Sequence, residues 1–401
     1  MAGPLVVVGA SAAALGVVEG ARDTGYGGEV VVLGDETHLP YDRPPLSKQL
    51  LTGAWPVERL ALRGPEQWRS LGVDLRLGTR ATALDLAARR VDTDTGRPVT
   101  YEQLVIATGV RARRLAGAGD LAGVHVLRSL DDALGLQADL VPGARLAVVG
   151  AGVLGLEAAA VARGLGVSVT VVDPLARPMQ RVVAPPVAHL LADLHRERGA
   201  ELRLGCGVTE VLRSGDRVAG LVLDDGSEVP ADVVLIAIGA DPATDWLAGS
   251  GVPLDAAGAV LADEHGAVGP GVHSAGDVAA WWDPEDRCHR RVEHRLNATE
   301  QGRTVARRLV APDGPAPRPG VPYFWSDQYD LKLQSWGHVD PDDDLEVVEG
   351  SLADHRFVAV GVRAGRVRSV VGIGMARSMR TWRDAVAARE PFRSAVATTG
   401  G

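Results

Sequence analysis

Two short glycine clusters and a handful of carboxylates carry the chemistry that this chain's residue types and spacing allow. The run Gly150-Ala151-Gly152-Val153-Leu154-Gly155 follows an apolar stretch and opens a helical one, and Asp173 closes the next apolar stretch. That order is the fingerprint of a dinucleotide-binding turn. Gly150 makes the turn, Gly152 lets the backbone approach a pyrophosphate, and Gly155 lets helix and strand pack closely. The helix N-terminus favours phosphate charge. Asp173 is placed to accept hydrogen bonds from the adenosine ribose hydroxyls, and a 2′-phosphate would meet its like charge. NADH is therefore expected over NADPH, with Arg177 as the residue that would relax the preference.

The other cluster, Gly9-Ala10-Ser11-Ala12-Ala13-Ala14, keeps only the first glycine. Ser11 still permits close backbone approach and Ala14 still permits tight packing. Asp35 and Glu36 follow at the distance of a ribose-binding carboxylate. Two such units in one chain point to two dinucleotides, of which a flavin and a nicotinamide are the natural pair. Competing chemistries lack their residues. The two cysteines, Cys206 and Cys288, form no CxxC pair, so a catalytic dithiol and a cysteine-rich zinc site are excluded. The ten histidines show no HxxxH or HExxH spacing, so no metal site is expected.

The elements that must position these residues form two cycles. Leu5–Val8 and Val30–Leu33 are continuous apolar runs, expected for strands covered on both faces of a parallel sheet. Residues 74–102 are predicted as an antiparallel insertion with a turn at Asp94-Thr95-Gly96, and residues 104–107 as a buried strand ending at Thr108-Gly109. The second cycle repeats this order. It has strands at Arg145–Val149 and 168–172, a helix over 156–163, an insertion over 201–231, and a strand over 233–238 ending at Gly239. Residues 311–320 read as a Pro/Gly linker. Beyond it, residues 345–348, 357–362 and 367–373 suggest a small antiparallel sheet, and 377–388 a helix. The expected fold is α/β, with two Rossmann-like dinucleotide-binding domains and a small α+β C-terminal domain.

Composition narrows the function classes. Forty-two basic against 51 acidic residues leave a formal charge of −9, the wrong balance for phosphate neutralisation, so no nucleic-acid partner is expected. No apolar stretch reaches 18 residues, so no membrane span is predicted. The first basic residue is Arg22, so the apolar N-terminus reads as strand and turn rather than as a leader, and a cytoplasmic protein is expected. Only two lysines occur, Lys48 and Lys332, which makes Lys48 conspicuous.

The segment Tyr41-Asp42-Arg43-Pro44-Pro45-Leu46-Ser47-Lys48 resembles the flavin-contacting segment of FAD-dependent ferredoxin reductases of the pyridine nucleotide-disulfide oxidoreductase superfamily. Ala107-Thr108-Gly109, residues 150–157, Ala275-Gly276-Asp277, residues 293–301 and Tyr323-Phe324-Trp325-Ser326-Asp327-Gln328 are similar too, in family order over nearly the whole chain. The resemblance implies hydride transfer from NADH to FAD, then electron delivery to a two-iron ferredoxin serving a P450 or a Rieske oxygenase. It implies a discontinuous FAD domain over 1–112 and 242–318, an NAD(P)H domain over 113–241 and a C-terminal domain over 319–401.

The resemblance also assigns residues. Lys48 is placed near the flavin N5 edge and Glu157 beside the nicotinamide, in the first turn of its helix, and an ion pair between them is expected to shape the hydride-transfer site. Asp277 is implied as the acceptor for the flavin ribityl hydroxyls. Gly9, Ser11, Ala13, Ala14, Asp35, Glu36, Arg43, Pro45, Ala81, Thr108, Gly109, Arg128, Gly276, Arg295 and Trp325 complete the flavin set. Gly150, Gly152, Leu154, Gly155, Asp173 and Gly239 complete the nicotinamide set. Arg295 stands where relatives commonly carry an aromatic residue, and a cation there is expected to raise the flavin potential. Arg303, Arg307 and Arg308 are the expected ferredoxin-docking face, with Arg377, Arg380 and Arg383 as a second stripe. The alternatives are an NADH oxidase or monodehydroascorbate-reductase-like flavoenzyme, and a redox-switched binding protein resembling apoptosis-inducing factor. Trp281 and Trp282 are read as packing.

Overall fold

The computed structural model describes residues 3–119, 121–311, 314, 319–340 and 342–399 of the chain. The linker expected over 311–320 lies mostly outside the described residues. The chain divides into two units. One holds the residues up to Asp42, with Val57–Arg111 and Ala240–Pro322; the other holds Arg43–Pro56, Ala112–Gly239 and the residues from Tyr323 on.

In the first unit, Leu5–Val8 pairs in parallel with Val30–Leu33 on one side and Gln103–Ile106 on the other, with Val7 opposite Val32 and Val105. All three strands carry apolar residues on both faces because the sheet is covered on both, and each fully buried valine or leucine contributes roughly 1.5–3 kcal/mol. The helix Ala12–Asp23 packs on the helix Arg295–Val310 at close range. A Cβ on Gly16 would lie 2.4 Å from the Thr299 carbonyl oxygen, and one on Gly302 would lie 2.3 Å from that of Ala13, so two glycines set the helix spacing.

The insertion expected over 74–102 begins later than the turn residues suggest. Val73–Arg76 adds to the parallel sheet beside Val30–Leu33, and only Ala81–Asp85, Arg90–Thr93 and Val99–Thr100 form the antiparallel piece.

The second unit repeats the plan. Arg145–Val149 lies between Ser168–Asp173 and Val233–Ile236, all parallel. The same correction applies, since Glu201–Leu204 pairs in parallel with Ser168–Asp173, and the antiparallel insertion is Val208–Ser214, Arg217–Leu223 and Glu228–Pro230. In both cycles a strand of mixed polarity is an edge strand, so alternation alone does not reveal its parallel pairing. The terminal sheet has five strands, not three, because Tyr323–Gln328 and Leu331–Gly337 join Asp344–Ser351, Arg356–Arg363 and Arg366–Ile373. The helix Ala376–Ala388 packs on it.

Candidate active site

The two glycine turns are built alike. Gly9 has φ +113° and Gly150 φ +110°, a region that excludes ordinary side chains. A Cβ on Gly9 would lie 2.1 Å from the Ala107 carbonyl oxygen, and one on Gly150 would lie 2.4 Å from that of Ala237. Each turn is closed by one backbone bond, from Gly9 N–H to Leu33 O at 2.8 Å and from Gly150 N–H to Val172 O at 2.7 Å. Ser11 and Gly152 then cap the helices Ala12–Asp23 and Val153–Gly164, both in extended backbone. A Cβ on Gly152 would meet nothing within 4 Å, while one on Gly155 would lie 2.0 Å from the Gly150 carbonyl oxygen. The middle position is open and the third is crowded, which fits a pyrophosphate laid over the helix N-terminus. Leu154 is half-buried on this first turn.

Asp173 is part of the turn. Its carboxylate accepts from the Ala151 N–H and from the Leu175 N–H, each at 2.7 Å. Arg177 follows with a buried Nε that has no hydrogen-bond partner among the described residues. The strand expected over 233–238 stops at Ile236, and Gly239 follows it at φ +99°, its carbonyl accepting from the Arg113 N–H at 3.0 Å.

Lys48 and Glu157 meet in the second unit. Lys48 Nζ donates to Glu157 Oε2 at 2.6 Å, and both residues are buried, at 8% and 3% exposure. Glu157 is the fifth residue of its helix rather than part of the first turn, which puts it one turn deeper than expected. Burying a charge is costly unless it is paired and its remaining lone pairs are satisfied. Here they are satisfied. Ser47 Oγ donates to the same oxygen at 2.6 Å, Ser326 Oγ donates to Oε1 at 2.9 Å, and the Asp327 N–H reaches Oε1 at 3.3 Å. Ser47 and Ser326 lie inside the segments that resemble the family, but a small hydroxyl in a motif carries no signal of its own.

The other expected flavin residues of this unit are Arg43, Pro45, Arg128 and Trp325. Arg43 donates to the Arg128 carbonyl at 2.7 Å, and Pro45 is buried in the single helical turn Pro44–Ser47. Trp325 stacks on Tyr323, with ring centroids 5.8 Å apart and Lys332 Nζ 5.9 Å from its ring.

The first unit holds the rest. Thr108 Oγ1 donates to the Ala243 carbonyl at 2.8 Å, Gly109 has φ +67°, and the Gly276 N–H is held by Gln301 Oε1 at 2.8 Å. A Cβ on Gly276 would lie 3.1 Å from that of Ala13, so this turn sits against the first helix. Ala13, Ala14 and Ala81 are buried. Asp35 is exposed, and Glu36 accepts from the Tyr41 hydroxyl at 2.6 Å. Asp277 lies near His294, whose imidazole burial pushes down to about 4 against the pull of that carboxylate.

The expectation for Arg295 needs correction. It is not a lone cation, because its Nε donates to Asp42 and its Nη1 to Thr299 Oγ1 at 2.5 Å. Arg303 is exposed but paired with Glu19 at 3.5 Å, and Glu19 also holds Arg63 at 2.5 Å. Arg307 is exposed, whereas Arg308 is half-buried and donates to the Gly314 carbonyl at 3.4 Å. Arg377, Arg380 and Arg383 are all exposed. Trp281 is buried and donates to the Ser274 carbonyl at 2.9 Å, as packing requires, while Trp282 is 37% exposed. Among the described residues no helix is long and apolar enough to cross a membrane.

Two dinucleotide turns and a buried lysine–carboxylate pair define a two-cofactor oxidoreductase, and comparison with known proteins agrees. Residues 3–302 match the pyridine nucleotide-disulphide oxidoreductase family and residues 323–399 the reductase C-terminal family. The chain belongs to the pyridine nucleotide-disulphide oxidoreductases. It is 38% identical over 372 residues to a probable ferredoxin reductase of Castellaniella defragrans, covering 91% of this chain and 89% of that protein. It is 35% identical over 367 residues to the ferredoxin–NAD(+) reductase component of the p-cumate 2,3-dioxygenase system of Pseudomonas putida, covering 91% and 86%. Among solved structures it is similar to the reductase of the covalent putidaredoxin reductase–putidaredoxin complex, with a TM-score of 0.94, 31% identity and 99% of both chains covered.

Proposed function

We propose that this protein is an NADH-dependent, FAD-containing ferredoxin reductase of the cytoplasm. It passes electrons from NADH to a two-iron ferredoxin that serves a P450 or a Rieske oxygenase. The observation that carries the reading is the buried Lys48–Glu157 pair, four-fold hydrogen-bonded at the carboxylate, in a chain with two dinucleotide turns. The relatives' names, the ferredoxin–NAD(+) reductase component of a dioxygenase system and a putidaredoxin reductase in covalent complex with putidaredoxin, support the partner class. The functional division we assign is a flavin domain over 1–112 and 242–318, a nicotinamide domain over 113–241 and a C-terminal domain from 319.

When bound, FAD supplies the conversion of a two-electron hydride donor into a one-electron donor. The protein binds, orients and holds charge. Gly9 and Gly150 expose two helix N-termini to the pyrophosphates of FAD and NADH. Asp35 and Asp173 present carboxylates to the adenosine riboses, and Asp277 accepts from the ribityl hydroxyls. Glu157 keeps the Lys48 ammonium in one place, so a preorganised positive charge stands at the hydride-transfer site. Arg295 and Asp42 hold each other, so the pair brings little net charge to the flavin.

Lys48→Met tests the reading. It should leave the visible flavin spectrum intact while slowing flavin reduction by NADH in stopped flow on the order of 10- to 1,000-fold, the scale of losing one preorganised electrostatic contact. Reduction at the parental rate removes Lys48 from the mechanism.

A further inference from the structure

Glu157 is also the end of a longer polar chain, and every member of that chain lies in the second unit. Ser326 Oγ donates to Glu157 Oε1 at 2.9 Å and receives Gln328 Nε2–H at 3.1 Å. Gln328 Oε1 is 3.0 Å from His195 Nε2, and His195 Nδ1 is 3.2 Å from the Tyr329 hydroxyl. Ser326, Gln328 and His195 are 1% exposed or less, so they satisfy one another within the chain. The chain joins the helix Pro185–Glu197, the strand Tyr323–Gln328 and the helix Val153–Gly164.

The donors can be assigned without ambiguity. A carboxylate only accepts, so the Ser326 proton points at Glu157 and its oxygen must accept from the amide. The amide oxygen then faces His195 and only accepts, so Nε2 carries the imidazole proton. Nδ1 of a neutral imidazole accepts, and the Tyr329 hydroxyl donates to it. Burial lowers the affinity of His195 for a second proton, and burial raises the Tyr329 hydroxyl to about 12, so both groups remain in the forms the chain needs. Four groups therefore donate in one direction, toward the anion that holds Lys48.

Two further features fix this arrangement. Tyr329 is held in the left-handed region at φ +55°, uncommon for a tyrosine, and His195 meets its ring edge-on at 5.0 Å. The second N–H of Gln328 reaches Met179 Sδ at 3.5 Å, and the Met179 backbone N–H bonds the Ala151 carbonyl at 2.8 Å. The amide in the middle of the chain is thereby tied to the dinucleotide turn as well as to the lysine–carboxylate pair.

We propose that His195 is a positioning residue for hydride transfer, which orients Glu157, and through it Lys48, by way of Gln328 and Ser326. Among the described residues nothing else requires a buried imidazole there, since a leucine would pack in an apolar helix face. The inference rests on the role given above to the Lys48–Glu157 pair.

The test uses the FAD-loaded full chain. With 15N-histidine labelling, His195 should show the neutral Nε2–H tautomer at pH 7, and its resonance should move in Tyr329→Phe. The Nδ1–H tautomer or an imidazolium overturns the proposal. In stopped flow, His195→Leu should lower the limiting rate of flavin reduction by NADH roughly 3- to 10-fold, the worth of about one hydrogen bond, with the apparent Kd for NADH nearly unchanged. His195→Gln, whose amide N–H falls close to the Nε2 position, should restore most of the rate. Parental rates in both variants, or equal losses in both, overturn the proposal. If the leucine variant does not fold, Gln328→Met cuts the chain at its middle with a side chain of the same length, and a parental rate there overturns it too. Lys48→Met run in parallel separates the two claims. If that variant is slow while the His195 variants are not, only this inference fails; if it is also at the parental rate, the reading of the pair itself fails.

Discussion

The turn at residues 9–14 and the turn at residues 150–155 reach the same backbone from different sequences. Both first glycines adopt φ near +110° and would drive a Cβ into the backbone carbonyl just past a neighbouring strand, so a side chain at either is strained. The second positions differ, Ser11 against Gly152, yet both are extended helix caps, and Ser11 makes no side-chain cap bond. The third positions differ more. Gly155 lies against the Gly150 carbonyl, whereas Ala14 keeps its Cβ in a fully buried place. In the first unit the close contact has moved to the other side of the helix, where Gly16 and Gly302 let it approach the helix Arg295–Val310. A fingerprint glycine is thus compulsory where the turn needs a positive φ and negotiable where it only needs room.

The largest effect expected from this comparison is in stability. Gly150→Ala should destabilise the protein by about 3–5 kcal/mol, from left-handed strain plus a carbonyl clash, read as a drop in unfolding midpoint. Gly152→Ala meets no atom within 4 Å and should change stability by less than about 1 kcal/mol, while weakening NAD+ binding on the order of tenfold. Similar melting losses in both variants would break the distinction.

The cofactor preference comes next. A 2′-phosphate close to Asp173 should cost on the order of 1–4 kcal/mol, or roughly 5- to 1,000-fold in kcat/KM for NADPH against NADH. Asp173→Asn should narrow that ratio. Because the carboxylate also receives the Ala151 and Leu175 N–H groups, a shared loss with both cofactors would show that its main work is to hold the turn. Equal efficiency of the parental enzyme with both cofactors would refute the preference.

The first unit also buries His273, on the strand Val272–Ser274 beside Gln103–Ile106. Burial pushes its imidazole down to about 4, with Asp263 pulling up and Arg308 pushing down. A histidine kept neutral in the folded state costs stability as pH falls from about 6.5, where the unfolded chain takes up the proton, and the loss is complete near 4. It should reach on the order of 1–3 kcal/mol. His273→Leu should flatten the dependence of the melting temperature on pH across that window, and an unchanged slope would assign the acid sensitivity elsewhere.

The smallest effect concerns docking. Arg303 already has a counterion in Glu19, so Arg303→Glu should raise KM for ferredoxin by only a few-fold, about 1 kcal/mol, more at low salt than at high. Ferricyanide reduction should stay within twofold. Parallel losses with both acceptors would place Arg303 in folding or at the flavin.

The elements legible in the sequence are those dictated locally. Leu5–Val8, Val30–Leu33 and Arg145–Val149 run as predicted, because positions of a strand buried on both faces must be apolar, and only the exposed first residue Arg145 departs from this. Asp173 and the two first glycines were legible for the same kind of reason, since spacing along one chain segment sets their place. Val73–Arg76 and Glu201–Leu204 were not, because edge position lets their polarity alternate while parallel pairing comes from a distant partner.

What the sequence by itself determined is therefore the repeated strand, turn and helix with its compulsory glycines and closing acid, since each follows from backbone sterics within one βαβ unit. Only the tertiary structure decided which polar side chains meet within each unit. Asp42 neutralises Arg295 across 253 positions, Ser326 reaches Glu157 across 169, and His195 reaches Gln328 across 133. Hydrogen bonds over such separations leave no periodicity in the chain, because they depend on where whole elements pack and not on how residues follow one another.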